Sequence, residues 1–415
     1  MALPGVRTII KDRFYSLAIQ DNGADAVRVV TVARRSNEEA ASGIRNYDVF
    51  SPSTEEQVIF AYGENSELHR AYVELVASGA PRISLVAIPA DKTDDQLKTT
   101  EVLDKVYEAA EVAQPGVIVL WGRGGHPSDW TAGATPDTHD YLPIGFHADM
   151  GGAAFIKAVA DRTKQLSDRT HPVFTVMGIK PYLGNLQTAT PNSVAYENMT
   201  AAELAEHIGK DGLVEMPDHE DTAIGDNGAY VTVIGTEIAP TRYPVAWGYG
   251  NGASTYGGYL SALPSEVAPT GKQLFNIGRI RYSPTRVQQE NLTSNAIVPV
   301  SLNFLNQATI VDGLTFGRAT SDFTRQSTLR IVFDAVQLVR RAVQNYIGQP
   351  YTIQNENAMD TSVSSALRSM LINGALQNAQ YIMTPSRREN TVRIDLVLLP
   401  AFEVRDIEVS VSVQL

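Results

Sequence analysis

Few residues in this chain have the type and spacing to do chemistry. Trp121-Gly-Arg-Gly-Gly-His-Pro-Ser-Asp-Trp130 follows an apolar run, the place where ligand loops sit in α/β sheets. It matches neither the Gly-x-Gly-x-x-Gly fingerprint nor the phosphate loop that ends in Gly-Lys-Ser/Thr. It reads as a Gly-rich connection. Three histidines lie among acids: His139 in Asp137-Thr-His-Asp140, His147 in His-Ala-Asp149, and His219 in Asp218-His-Glu-Asp221. Imidazole and carboxylate are suitable ligands for a divalent metal. None of the three has the paired helical spacing of His-Glu-x-x-His, so they read as solvated acidic loops. No Gly-x-Ser-x-Gly elbow offers a serine nucleophile. The absence of cysteine removes thiol nucleophiles, disulfides, iron–sulfur clusters and Cys-based zinc sites together.

The elements that would carry these residues follow an α/β rhythm. Ala26–Ala33 is a β-branched run and predicts a strand, as does Ile83–Ile88. Ser53–Tyr62 and Ser66–Ala77 predict helices between them. Asp94–Ala113, Ala153–Leu166 and Ala201–Ile208 predict helices, alternating with strands at Gly116–Trp121, Pro172–Gly178 and Ala229–Ile238. The alternation predicts a mostly parallel or mixed sheet. The Gly- and Tyr-rich tract Gly248–Gly258 predicts a loop that packs close to another backbone.

In the last third, Arg325–Ile347 carries Leu329, Val332, Phe333, Val336, Val339, Val343 and Ile347 on one stripe. Arg330, Asp334, Gln337, Arg341 and Gln344 take the opposite face, and Gly348 and Pro350 end the helix. A second helix is predicted over Ser362–Ala379 and a strand over Val392–Leu399. Ile407, Val409, Val411, Val413 and Leu415 alternate with polar residues in a final strand. Such a strand needs a ladder, either Val392–Leu399 of its own chain or a neighbour's sheet edge.

Composition bounds the function. The chain has 415 residues, 43% hydrophobic and 19% charged, which suits a folded chain rather than a disordered one. Its length suggests about two to four domains of roughly 100–200 residues. The net charge of −12 argues against a general nucleic-acid binder. Residues 1–90 carry 9 basic and 11 acidic side chains, residues 91–272 carry 12 and 24, and residues 273–415 carry 13 and 11. The middle segment therefore holds the whole excess. Lys272 is the last lysine, and every later cation is Arg. Arg suits desolvated contacts with a partner. No apolar run reaches the roughly 18 residues of a membrane span. The opening Met1-Ala2-Leu3-Pro4-Gly5 lacks a signal-peptide pattern, so a chain made or assembled in a cytoplasm is expected.

Three stretches, in this order, resemble the contractile tail sheath proteins of myophages, R-type pyocins and type VI secretion sheaths. Pro4-Gly-Val-Arg-Thr-Ile-Ile10 resembles the family's amino-terminal arm. Phe60-Ala-Tyr-Gly63 through Pro81-Arg-Ile-Ser-Leu-Val-Ala87 resembles its turn, helix and strand. Gly313-Leu-Thr-Phe-Gly-Arg-Ala-Thr320, with the helix after it, resembles its Gly-x-Arg-Thr strand and long Arg-bearing helix. The likeness covers residues 1–90 and about 295–415; the middle matches no sheath insertion.

The resemblance implies a mixed α/β fold. A sheath core domain of residues 21–90 with 273–403 would carry an acidic outer insertion over 91–272. Extended strand arms would occupy 1–20 and 404–415. It implies a structural subunit rather than an enzyme, with no cofactor and no metal. The subunit would polymerise as stacked hexameric rings around a tail tube, and contraction would drive the tube through a cell envelope. Partners would be other copies of itself, the tube protein, and the baseplate and terminator proteins, with no direct nucleic acid and no membrane insertion. The implied location is a virion tail, assembled in the host bacterial cytoplasm. Val6, Thr8 and Ile10, and Ile407, Val409, Val411 and Val413, would pair with neighbouring subunits. Arg330, Arg341 and Arg368 are the candidates for facing the tube. Two other classes stay open: another phage structural protein (capsid or baseplate), and an α/β enzyme using the 121–130 loop.

Overall fold

The computed structural model describes residues 11–12, 15–16, 27–36, 43–123, 144–146, 148, 153–169, 171–179, 219–220, 224–244, 247–280, 283–388 and 390–403. Its centre is a seven-stranded sheet. In chain order the strands are β1 (Arg28–Arg34), β2 (Val49–Phe50), β3 (Arg82–Ile88), β4 (Val117–Leu120), β5 (Phe174–Gly178), β6 (Val231–Ile234) and β7 (Ile297–Val298). They lie side by side as β7-β6-β5-β4-β1-β3-β2. Every neighbouring pair is parallel except β3 with the edge strand β2.

The apolar runs in these strands have no polar alternation because both faces are covered. Val29 and Ala33 of β1 join a core with α1 (Glu55–Tyr62), α2 (Glu67–Ala77) and α5 (Ala253–Ala262). Val30 and Val32 point the other way, into a core with α3 (Thr100–Ala113) and α4 (Ala153–Arg169). A buried hydroxyl cluster ties this second layer down. Tyr107 Oη lies 2.8 Å from Thr163 Oγ1 and 3.0 Å from Thr175 Oγ1, joining α3, α4 and β5.

The sheet runs across residue 90, where the insertion was expected to begin. β4, β5 and β6 come from the acidic middle segment, yet they continue the sheet begun by β1 and β3. On α3 the segment's acids face outward: Glu101, Asp104 and Glu108 are exposed, whereas Val102, Leu103 and Val106 are buried. Charge composition reports a surface, and a surface says nothing about which strands pair beneath it. The Gly248–Gly258 tract is likewise more regular than expected. Residues 253–262 form α5, buried against the sheet. A Cβ on Gly257 would stand 2.6 Å from Val119 Cγ2, so the glycine lets the helix approach the sheet closely.

A second unit follows. β8 (Val300–Leu302) and β9 (Ala308–Ile310) make a small hairpin, after which α6 (Gln326–Gln344) crosses the molecule. Leu329, Val332 and Phe333 of α6 belong to the first core. Ile331, Ala335, Val339 and Val343 belong to a separate core shared with α7 (Ile353–Ile372), β10 (Leu376–Ser386) and β11 (Thr391–Pro400). The expected helix over 362–379 is thus displaced. Thr352 caps α7 by accepting from Asn355 N, and Gly374 at φ 77° ends it, because L side chains rarely adopt that conformation. Residues from Leu376 onward then form a strand. The helix expected at 201–208, the arm at 6–10 and the strand at 407–415 lie outside the described residues.

Candidate functional site: a hairpin with two open edges

Only part of the enzyme-like features lies within the described residues. Trp121 is buried at the end of β4, and its Nε1 donates to Glu74 Oε1 at 3.0 Å. Most of the 121–130 loop, His139 and His147 lie outside the described residues. His219 packs edge-on against Phe316, with Nε2 3.4 Å from Glu220 Oε1. Among the described residues no group of three or more His, Asp or Glu side chains is placed to hold a metal ion. No described helix is long and apolar enough to cross a membrane.

What the structure does build is a two-stranded hairpin packed on a helix pair. β10 and β11 pair antiparallel from Ser386↔Thr391 to Leu376↔Pro400. Among the described residues each strand pairs only with the other, so both outer edges present backbone N–H and C=O groups without a ladder partner. The inner face carries Ala379, Tyr381, Met383, Leu396 and Leu398, packed on the α6–α7 core around Ile394. Tyr381 Oη donates to Asp360 of α7, 2.8 Å from Oδ1, which ties the hairpin to the helix. The outer face is mixed. Arg393 pairs with Asp395 at 2.7 Å, while Ile382 and Val397 stand 67% and 66% exposed. A two-stranded sheet is marginal in water by itself. Here the helix pair holds it open, which makes it a ready template for further strands.

Sequence reasoning identified the strand over 392–399 but not its partner. The signal was present in Tyr381-Ile-Met-Thr384, a β-prone run closed by Pro385 and the Arg387-Arg388 turn. The helix predicted over 362–379 hid where that run begins.

The three candidate arginines separate. Arg330 is only 7% exposed, and its guanidinium donates to the carbonyls of Leu263 and Val267. Burial lowers its pKa, opposed by Asp334. It is an internal clamp between α6 and the segment after α5, and the expected outward role is withdrawn, because those carbonyls need a buried donor. Arg341 is half-buried on the same side of α6, lining a cleft. Arg368 is exposed on the outer face of α7.

No protein-family model matches the sequence, and no curated protein matches it. Solved structures do match. A chain of the anti-feeding prophage baseplate superposes with a TM-score of 0.63 at 12% identity, covering 100% of both chains. A chain of that particle's helical sheath in the contracted state gives 0.59 at 14% identity, covering 99% of both. The sheath tail protein from Desulfitobacterium hafniense gives 0.51 at 10% identity, over 91% of this chain and 97% of that one. The chain has the fold of contractile sheath proteins, as the sequence resemblance implied.

Proposed function

We propose that this chain is the subunit of a contractile sheath, a structural protein that polymerises on itself. The observation that carries the reading is the β10–β11 hairpin, held on a helix pair with both edges open. The alternating segment Ile407–Leu415 and the arm Val6–Ile10 are strand-forming sequences that need such edges. A neighbour's terminal strands would complete the ladder, and a contact of this head-to-tail kind propagates into a helix. Strand pairing also survives rotation of the subunits, so the linkage outlasts contraction.

In this reading the subunits stack as hexameric rings around a tail tube, between baseplate and terminator proteins, in a virion tail or related injection particle assembled in a bacterial cytoplasm. Arg341 and Arg368 remain the tube-facing candidates. The acidic outer face of α3 would point to solvent, where salt screens charges beyond roughly 8–10 Å. The energy of contraction would be stored in assembly, and no catalytic group or cofactor is required.

Deletion of residues 404–415 tests the reading. The expected product is a folded, soluble monomer that no longer forms tubes by electron microscopy. Full-length tubes from the truncated chain would overturn the donated-strand reading.

A further inference from the structure

A second exposed surface lies away from the hairpin, at the turn between β8 and β9. Phe304 at its tip is 94% exposed, and Leu305, Leu302 and Phe275 beside it are also exposed. Phe275 is brought there by the bond from Leu274 N to Ala308 O at 2.8 Å. The turn is rigid. Asn303 Oδ1 accepts from Leu305 N at 2.9 Å and from Gln307 N at 3.0 Å. Asn303 N also donates to Gln307 O at 3.0 Å, and Asn306 takes φ 57°. The aromatic ring is thus presented on a preorganised knob, at little entropic cost to a partner. Clustered exposed apolar side chains of this kind mark interaction sites, and buried aromatics are their usual anchors.

The same chain carries a hole. A cleft of 620 Å³ opens where β1, β3, β4 and β5 begin, between those strand ends and α6. Pro81, Pro172, Leu263, Phe333 and Leu338 supply apolar wall, and Arg28, Arg82 and Arg341 line it with guanidinium groups. Arg28 is fixed by its bond to Ala113 O at 2.8 Å. This is the amino end of the parallel strands, whereas the knob follows the carboxyl end of the edge strand β7.

We propose that the 303–307 knob of one copy seats in the strand-end cleft of the next copy. The inference rests on the sheath reading, under which each subunit meets others of its kind. Charge supports this occupant. The turn Asn303–Gln307 is uncharged, so it adds nothing to the repulsion between chains of net charge −12. The Arg-lined cleft complements the electron-rich face of Phe304 by cation–π attraction. Because knob and hole are different patches on one chain, the contact is heterologous and repeats from copy to copy, around a ring or along a helix.

The test places a photo-crosslinking phenylalanine analogue at position 304 of the full chain under assembling conditions. The expected product is a cross-link between two copies, mapped to residues 260–265 or 333–341. In parallel, Phe304→Ser with Leu305→Ser should raise the concentration needed for assembly about ten-fold or more, with thermal stability unchanged because both side chains are exposed. Cross-links mapping elsewhere would overturn the proposal, including to a tube protein. So would unchanged assembly of the double variant, even where deletion of 404–415 abolishes tubes and upholds the sheath reading. A wild-type chain that stays monomeric at every concentration would refute both.

Discussion

Tyr243 has one hydroxyl proton and touches two oxygens, Arg70 O at 2.8 Å and Glu74 Oε1 at 2.5 Å. Tyr243 donates to Glu74, which is fully buried and also accepts from Trp121. Burial pushes the Glu74 carboxyl up to about 8 from an ordinary value of 4.5, against the opposing Tyr243 and Trp121 hydrogen bonds and the Arg70 charge. The desolvation cost outweighs those hydrogen bonds, so Glu74 is mostly neutral near pH 7. The sign follows from linkage. Glu74 ionises near 4.5 in the unfolded chain and near 8 in the folded one, so its contribution to stability is fully present below pH 4.5 and falls as pH rises between the two values. Each pH unit in that window costs up to about 1.4 kcal/mol. Glu74→Gln removes the titration while keeping an acceptor for Trp121. Its melting temperature should gain on wild type steadily from pH 5 to pH 8.5. Parallel pH profiles for the two proteins would show that Glu74 does not titrate in this range.

At the scale of elements, α5 is a test of close approach. Gly257→Ala should favour the helix by about 1 kcal/mol on propensity alone. The added methyl, however, meets Val119 in the middle of the sheet. Overpacking a full core costs about 1–3 kcal/mol, so the clash wins and the variant should be less stable by chemical denaturation. A gain in stability would mean that the helix can lift from β4. The hairpin makes the opposite kind of prediction. In the monomer, the outward-pointing amides of β10 and β11 should exchange with solvent rapidly, while those of β1 and β4 are protected. On assembly the hairpin edges should slow by about ten-fold or more, as donated strands cover them. Fast exchange at both edges in finished tubes would leave the hairpin without a function.

At the scale of the whole molecule, α6 is the joint. One side of it belongs to the core of the large sheet and the other to the core under the hairpin. This helix couples the two cores and is clamped to the segment after α5 by Arg330. The wide stripe of this helix was legible in the residues, because spacing of three and four is a local property. Its double burial was not, since a helical pattern does not say how many partners it has. On the polar face, Arg330 is drawn into an interior contact with the carbonyls of Leu263 and Val267.

The sequence by itself determined the alternation of strands and helices, the reach of α6, the excess acid of residues 91–272 and the likeness to sheath proteins. These follow from side-chain period, composition and short motifs, all carried by neighbouring residues. Tertiary structure alone decided the rest. It joined β4, β5 and β6 to β1 and β3 in one sheet, because strand order is a contest between distant segments. It made β10 the partner of β11, where local preference had extended a helix. It buried Arg330 on carbonyls 63 and 67 residues away, a satisfaction that exists only once the chain has folded back on itself.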